Sequence, residues 1–393
     1  MRSDRYNTTM IILLLFLSVA LSSPIMLDRF GDSMNSMIRG NNEAYESSET
    51  CGVSQEFEQR LVRYMWFNNV APCVPEKLQY PFKCIARGCK ELGKHTELVD
   101  IFTHSDNLFD RTISGFVALD HKHKEIILAL RGTQDVNDWV TDLHLRLVEL
   151  HPEHLGVSNF NCRNCQVDLG FLKGYLHSFP AVDSIVQRLT EKYPNYQLVI
   201  TGHSLGGTAA TLFGLNYRLN GYSPLVFSAG APALGNKQFA NFADRVFWGS
   251  QNPNTLKVKE RDIKFCRMTH LGDFVPRFPF WNGYQQMSGE VFINDVRGIY
   301  PPRETLQRCN GQQNRQCSFG DQYRKLEMNF KPHSAYLVPG SNAPPKAAKA
   351  KNDNMLIGIT VNKEDDFSGW YQQIAPFAED LTTSRDADTA ERK

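Results

Sequence analysis

Leu198-Val199-Ile200-Thr201-Gly202-His203-Ser204-Leu205-Gly206-Gly207-Thr208-Ala209-Ala210 is the stretch whose reading settles the fold. Its first part is a short apolar, β-rich run of the kind that forms a buried strand. Its last part is a series of small residues that lets a following helix pack close. Between them Gly202-His203-Ser204-Leu205-Gly206 is a G-x-S-x-G pattern, which needs a sharp strand-to-helix turn that lifts the serine hydroxyl clear of the sheet. Glycines two residues to either side leave room for that strained backbone. A chain of 393 residues holds about 0.1 such patterns by chance, so the strand before it and the helix after it carry much of the weight.

Working outward, Gln197 to Thr201 reads as a strand, Gly206 to Leu219 as a helix and Pro224 to Ser228 as another strand. Ala181 to Lys192 reads as a helix stopped by Pro194. Thr112 to Leu119 and Glu125 to Leu130 flank the polar turn Asp120 to Lys124 and read as a hairpin. Phe57, Leu61, Tyr64 and Met65 have the spacing of an amphipathic helix starting near Ser54. Strands alternating with helices predict a central, mostly parallel sheet flanked by helices, and the G-x-S-x-G turn between strand and helix makes this an α/β-hydrolase fold in expectation.

A serine hydroxyl attacks poorly at neutral pH unless an imidazole accepts its proton and a carboxylate fixes the tautomer of that imidazole. In this fold the chain order is Ser, acid, His. Only His270 and His333 follow Ser204, so the order favours His333 as base with the acid between. Asp273, in Thr269-His270-Leu271-Gly272-Asp273-Phe274-Val275-Pro276, follows a plausible strand and stands where a loop could carry it to the site. Asp262, Asp295, Asp321 and Glu290 have no comparable setting, and His270 remains open as a hydrogen-bonded structural histidine. The oxyanion of an acyl intermediate needs two backbone N–H donors, one of them on the residue after the nucleophile, Leu205.

These blocks, in order, resemble the class 3 lipase family of fungal secreted triacylglycerol lipases: Thr112 to Gly132, Gly202 to Gly207, Gly230-Ala231-Pro232 with Gly235-Asn236, Arg267 to Pro276, Gly283-Tyr284-Gln285, and His333-Ser334-Ala335-Tyr336. The resemblance runs from about Ser54 to Leu337. It implies Asp273 as catalytic aspartate, His333 as catalytic histidine and Thr133 as the second oxyanion donor. It also implies a short helical lid over Gln134 to Leu143, with Trp139, Val136 and Val140 on its apolar face. Two positions depart from the family: Asp168 stands where a histidine is common before the Gly-Phe pair, and Ala233 where an arginine often follows Gly-Ala-Pro.

The rest of the chain sets the context. Arg2 and Arg5 precede an apolar run from Met10 to Leu21 and small residues at Ala20-Leu21-Ser22, so residues 1–22 read as a secretory signal peptide. Residues 23–50 read as a flexible leader, 51–338 as the catalytic domain, and 339–393 as a linker and partly disordered C-terminal extension. The mature chain is expected to carry no transmembrane segment and to act in a secreted or secretory-pathway setting. With 43 basic and 42 acidic residues, no summed field draws the protein to nucleic acid. Nine cysteines suit an oxidising compartment, with Cys84–Cys89, Cys162–Cys165 and Cys309–Cys317 as the simplest disulfides and an odd thiol left over.

Three functions follow from these readings. The first is hydrolysis of triacylglycerol or a related lipid ester at an oil-water or membrane interface, with no cofactor and no metal. The second keeps the chemistry on phospholipid (phospholipase A1) or on a soluble, feruloyl-type ester. The third is a lipid-binding protein without catalysis.

Overall fold

The structure, a computed structural model, describes residues 46–103, 113–132, 146–249, 254–279, 283–321 and 332–339. The signal peptide, Thr133, the lid segment with Trp139, and the tail beyond residue 339 lie outside the described residues.

Nine strands form one sheet: β1 (Thr50–Gly52), β2 (Thr96–Phe102), β3 (Gly115–Asp120), β4 (Glu125–Leu130), β5 (Gln197–His203), β6 (Leu225–Ala229), β7 (Phe265–His270), β8 (Glu290–Ile293) and β9 (Leu306–Cys309). Their spatial order is β1-β9-β8-β7-β6-β5-β4-β3-β2. The five strands β4 to β8 run parallel, and both margins are antiparallel. The expected hairpin is present as β3 and β4, with Asp120 opposite Glu125.

The apolar runs are continuous because both faces of the sheet are covered. Along β3, Phe116 and Ala118 join the core under helix α1 (Gln55–Val70). Val117 and Leu119 join the opposite core, under α2 (Leu169–Lys192), α3 (Leu205–Leu219) and α4 (Lys237–Trp248). Helix α1 starts at Ser54, whose hydroxyl accepts from the Phe57 N–H at 3.1 Å, and Phe57, Leu61, Tyr64 and Met65 are all buried. At its far end Asn68 accepts a buried hydrogen bond from the Thr201 hydroxyl at 2.8 Å, which ties this helix to the strand that leads to Ser204.

Three boundaries differ from the sequence expectation. Helix α2 begins at Leu169 rather than Ala181, because Asp168 caps it by accepting from the Gly170 and Phe171 N–H groups at 2.9 and 3.2 Å. Pro180 sits on its exposed face, where water can take up the carbonyl that a proline leaves without a donor. At the N-terminal margin, residues assigned to the leader belong to the folded body: Glu46–Ser47 pairs with Gln313–Asn314, and β1 pairs with β9. That pairing is reinforced by Glu49, whose carbonyl accepts from the Asn310 backbone N–H and the Asn314 side chain. Pro339, assigned to the linker, likewise pairs with Ala335 and accepts from the Asn69 side chain at 2.9 Å.

The three expected disulfides are formed. Cys51, Cys73 and Cys266 are free, and burial pushes the Cys266 thiol up to about 12, leaving it inert. No described helix is long and apolar enough to cross a membrane.

Helix α3 packs so tightly on the sheet that a Cβ on Gly214 would stand 2.2 Å from Val226 Cγ2. Gly214→Ala gains about 1 kcal/mol of helix propensity but overpacks the core by about 1–3 kcal/mol. The urea midpoint is expected to fall, and Val226→Ala in the same chain to recover part of the loss. A midpoint that rises in the single variant would refute this account of the packing.

Candidate active site

Ser204 lies between β5 and α3 with φ 57° and ψ −130°, a conformation that costs a non-glycine residue of order 1–3 kcal/mol. The surrounding glycines make the turn possible. A Cβ on Gly202 would lie 2.1 Å from the Gly206 carbonyl group, and one on Gly206 would lie 2.3 Å from the Leu130 carbonyl oxygen. The turn is closed by hydrogen bonds from the Ser204 N–H to Ala229 and from the Gly207 N–H to Ser204, at 2.8 and 2.9 Å. Leu205, the residue after Ser204, opens α3, so its N–H is among the free donors at the positive end of a 15-residue helix.

Thr133 itself is outside the described residues, but its neighbour Gly132 is packed against the turn. A Cβ there would meet the His203 carbonyl oxygen at 2.7 Å and Ser204 Cβ at 3.3 Å.

Asp273 follows β7 and is 1% exposed. Its Oδ1 accepts from the Val275 N–H at 2.9 Å, and its Oδ2 accepts from His333 Nδ1 at 3.0 Å and from the Tyr336 hydroxyl. Burial by itself would raise this carboxyl. His333 and the three donors outweigh burial and hold it below the usual carboxylate range, so it stays ionised. With Nδ1 donating to Asp273, His333 presents Nε2 as the basic nitrogen of the neutral ring. Nε2 is buried and has no hydrogen-bond partner among the described residues.

The other candidate acids are engaged elsewhere. Glu290 forms a buried pair with Arg267 at 3.0 Å and accepts from Thr269 at 2.6 Å, Asp295 pairs with Arg297 at 2.7 Å, and Asp321 accepts from the Gly272 N–H at 2.7 Å. Asp262 sits on an exposed turn. His270 directs Nδ1 to the Pro332 carbonyl at 3.0 Å and Nε2 to the Asp295 carbonyl at 2.6 Å.

Two partners of the site were not assigned a role from sequence, Tyr336 and His203. Tyr336 lies three residues after His333 in the quoted His-Ser-Ala-Tyr block, so its spacing was the available signal. The His203 ring faces that of His333 with centroids 4.6 Å apart, and its Nε2 donates to the His333 carbonyl at 2.8 Å. At Asp168, the departure from the family pattern has a local use: Oδ2 accepts from the Tyr284 hydroxyl at 2.8 Å while Oδ1 caps α2.

Among the described residues, the three metal-type ligands within reach of one another are Glu290, Cys309 and Cys317. The two cysteines are joined to each other and Glu290 is taken by Arg267, so the group offers no metal site.

Residues 127–283 match the family described as lipase (class 3). A secreted mono- and diacylglycerol lipase 2 of Gibberella zeae is 29% identical over 296 residues, 68% of this chain and 70% of that protein. Lipase A of Sodiomyces alcalophilus is 30% identical over 265 residues, 60% of this chain and 62% of its own length. The crystal structure of Lip2 lipase from Yarrowia lipolytica superposes with a TM-score of 0.68 at 37% identity, covering 76% of this chain and 98% of that one.

Burial and the neighbouring His333 push the His203 imidazole down to about 3, against the smaller opposing pull of Asp273. An unfolded imidazole titrates near 6.5, so between those values the unfolded chain binds a proton that folded His203 refuses. Stability therefore falls as pH drops through this window, with a slope approaching about 1.4 kcal/mol per pH unit. Denaturant midpoints of His203→Gln are expected to depend less steeply on pH than those of the parent by about one proton. Parallel curves would show that His203 titrates normally.

Proposed function

The chain belongs to the class 3 lipase family, and from that premise we propose that it hydrolyses acylglycerol esters through an acyl-enzyme on Ser204, with His333 as base and Asp273 as the acid that orients it. The reading rests on one observation: a buried histidine is held by a buried, ionised carboxylate through Nδ1, with a free Nε2, beside the turn that presents a strained serine. His333 Nε2 takes the proton of the Ser204 hydroxyl as Oγ attacks the ester carbonyl. The tetrahedral oxyanion is received by the N–H groups of Leu205 and Thr133. The imidazolium returns its proton to the leaving alcohol, and a water activated by the same nitrogen then releases the fatty acid.

Acylglycerol is the favoured substrate class because the relatives named above include mono- and diacylglycerol lipases. Triacylglycerol falls within the same ester chemistry. A lid over Gln134 to Leu143, with Trp139 on its apolar face, would couple activity to a lipid surface. The signal-like N-terminus, the three disulfides and the secreted relatives support an extracellular site of action.

Hydrolysis of a triacylglycerol measured across its solubility limit tests this reading. The rate is expected to jump above that limit, and Ser204→Ala or His333→Ala to lose about 10⁴-fold or more. A flat response with turnover of dissolved short esters would move the assignment to a soluble-ester esterase, and full activity in Ser204→Ala would dismiss the acyl-enzyme.

Tyr336→Phe removes a donor from the Asp273 oxygen that also faces His333. The carboxylate loses one of the donors that hold it below its usual range and fix its place beside His333. kcat is expected to fall by up to about tenfold with KM nearly unchanged, and a parental kcat would contradict the assignment of Asp273 and His333 as a working pair.

A further inference from the structure

We infer that His203 and His270 are positioning residues: two imidazoles, one on each strand that delivers a triad partner, together hold the turn that carries His333. The inference rests on the triad reading above and goes beyond it. Strand β5 ends in His203 and hands the chain to Ser204, while β7 ends in His270, three residues before Asp273. Each of these terminal histidines reaches across to a carbonyl of the same short turn, Pro332–Ser334. His203 Nε2 donates to the His333 carbonyl at 2.8 Å, and His270 bridges two carbonyls, its Nδ1 3.0 Å from that of Pro332 and its Nε2 2.6 Å from that of Asp295, so the tautomer with the proton on Nδ1 donates to the turn.

Pro332 has no N–H to give, and the anchors beyond it act downstream: the Leu337 N–H on Gly298, the Tyr300 N–H on Leu337, and the Asn69 side chain on Pro339. The two histidines therefore fix the peptide on both sides of the His333 Cα, while Asp273 fixes the ring. Rotation of that peptide would swing Nε2 away from the serine while the Asp273 bond remained intact.

The rings also pack. His203 lies over His333 and meets Tyr336 edge-on at 5.4 Å, and His270 meets Tyr336 edge-on at 5.9 Å. A Cβ on Gly230 would stand 3.1 Å from both His203 Nε2 and His333 Cε1, and one on Gly298 would stand 2.5 Å from His270 Cε1. The glycines at these two points let the backbone close against the rings, so neither imidazole has room to turn away from its carbonyl.

The test exploits the reach of side-chain amides. Gln at 203 can place an N–H where His203 Nε2 stands, whereas Asn falls short. Asn at 270 can place one where His270 Nδ1 stands, whereas Gln overshoots toward Asp295. His203→Phe and His270→Phe keep the ring and remove the donor. Each variant is assayed for kcat, KM, its rate of labelling by a fluorophosphonate and its melting temperature, beside Ser204→Ala and His333→Ala.

In folded Phe variants, kcat and the labelling rate are expected to fall together by about ten- to a hundredfold with KM nearly unchanged. His203→Gln and His270→Asn are expected to recover most of that loss, and His203→Asn and His270→Gln to recover little. Folded Phe variants with parental kcat would overturn the inference. If the Phe variants do not fold, equal kcat in the Gln and Asn variants at each position would overturn it. An active His333→Ala would instead remove the triad reading on which it stands.

Discussion

The turn at Ser204 is the constraint around which the rest of the molecule is arranged. Holding a non-glycine residue at φ 57° requires the chain on both sides to approach itself within distances that exclude a Cβ at Gly202 and Gly206. The same demand continues along α3, where Gly207, Thr208, Ala209, Ala210 and Gly214 bring the helix down onto β5 and β6. Strain of order 1–3 kcal/mol is matched by one or two fully buried large side chains at about 1.5–3 kcal/mol each. The sheet supplies many, among them Phe116, Leu128, Ile200 and Phe227. Strand order makes this economical: because β4 to β8 are laid side by side in chain order, Leu130, Ser204, Gly230 and Asp273 all emerge at one edge of the sheet.

Charge at that edge follows from burial. Asp273 is sealed from water, and an isolated carboxylate there would take up a proton. Three donors keep it ionised, two of them on the same oxygen, so the oxygen that orients His333 also serves Tyr336. Nearby, the buried pair of Arg267 and Glu290 is completed by Thr269 and by the Met287 carbonyl, so charge within the sheet is compensated locally. His203 meets the same environment in the opposite way. It can keep a proton only on the nitrogen that faces the His333 carbonyl, and burial strips it of the second.

How far the sequence could be read depended on how local each signal was. The elbow was legible because strand, glycines, serine and helix lie within thirteen residues. Hairpin β3–β4 and helix α1 were legible for the same reason, through two β-rich runs about a polar turn and through a 3.6-residue spacing. Asp273 was favoured among the acids by its loop after a strand and the family blocks strengthened that reading, since nothing local in a single chain says which acid lies beside His333. The bond from His203 to His333 spans 130 residues and that from Tyr284 to Asp168 spans 116, and neither leaves a local trace. Pro180 misled the start of α2, since a proline on the exposed face of a long helix looks in sequence like a boundary. The pairing of β1 with β9 was hidden in a polar stretch, because an edge strand is held by backbone groups that every residue carries.

The departure from the family pattern at residue 168 is absorbed by local hydrogen bonds. Asp168 does two jobs with one carboxylate, capping α2 through Oδ1 and anchoring Tyr284 through Oδ2. Gln286 spans the gap between the two loops that flank the site, its amide donating to the carbonyls of Ala231 and Pro276, both at 2.9 Å. Ala231 follows Gly230, which packs on His333, and Pro276 follows Asp273 by three residues. A side-chain amide therefore links the loop against His333 to the loop that carries Asp273. Such cross-links help to set the distance between these two side chains, because hydrogen bonds between the loops fix their separation at the sheet edge.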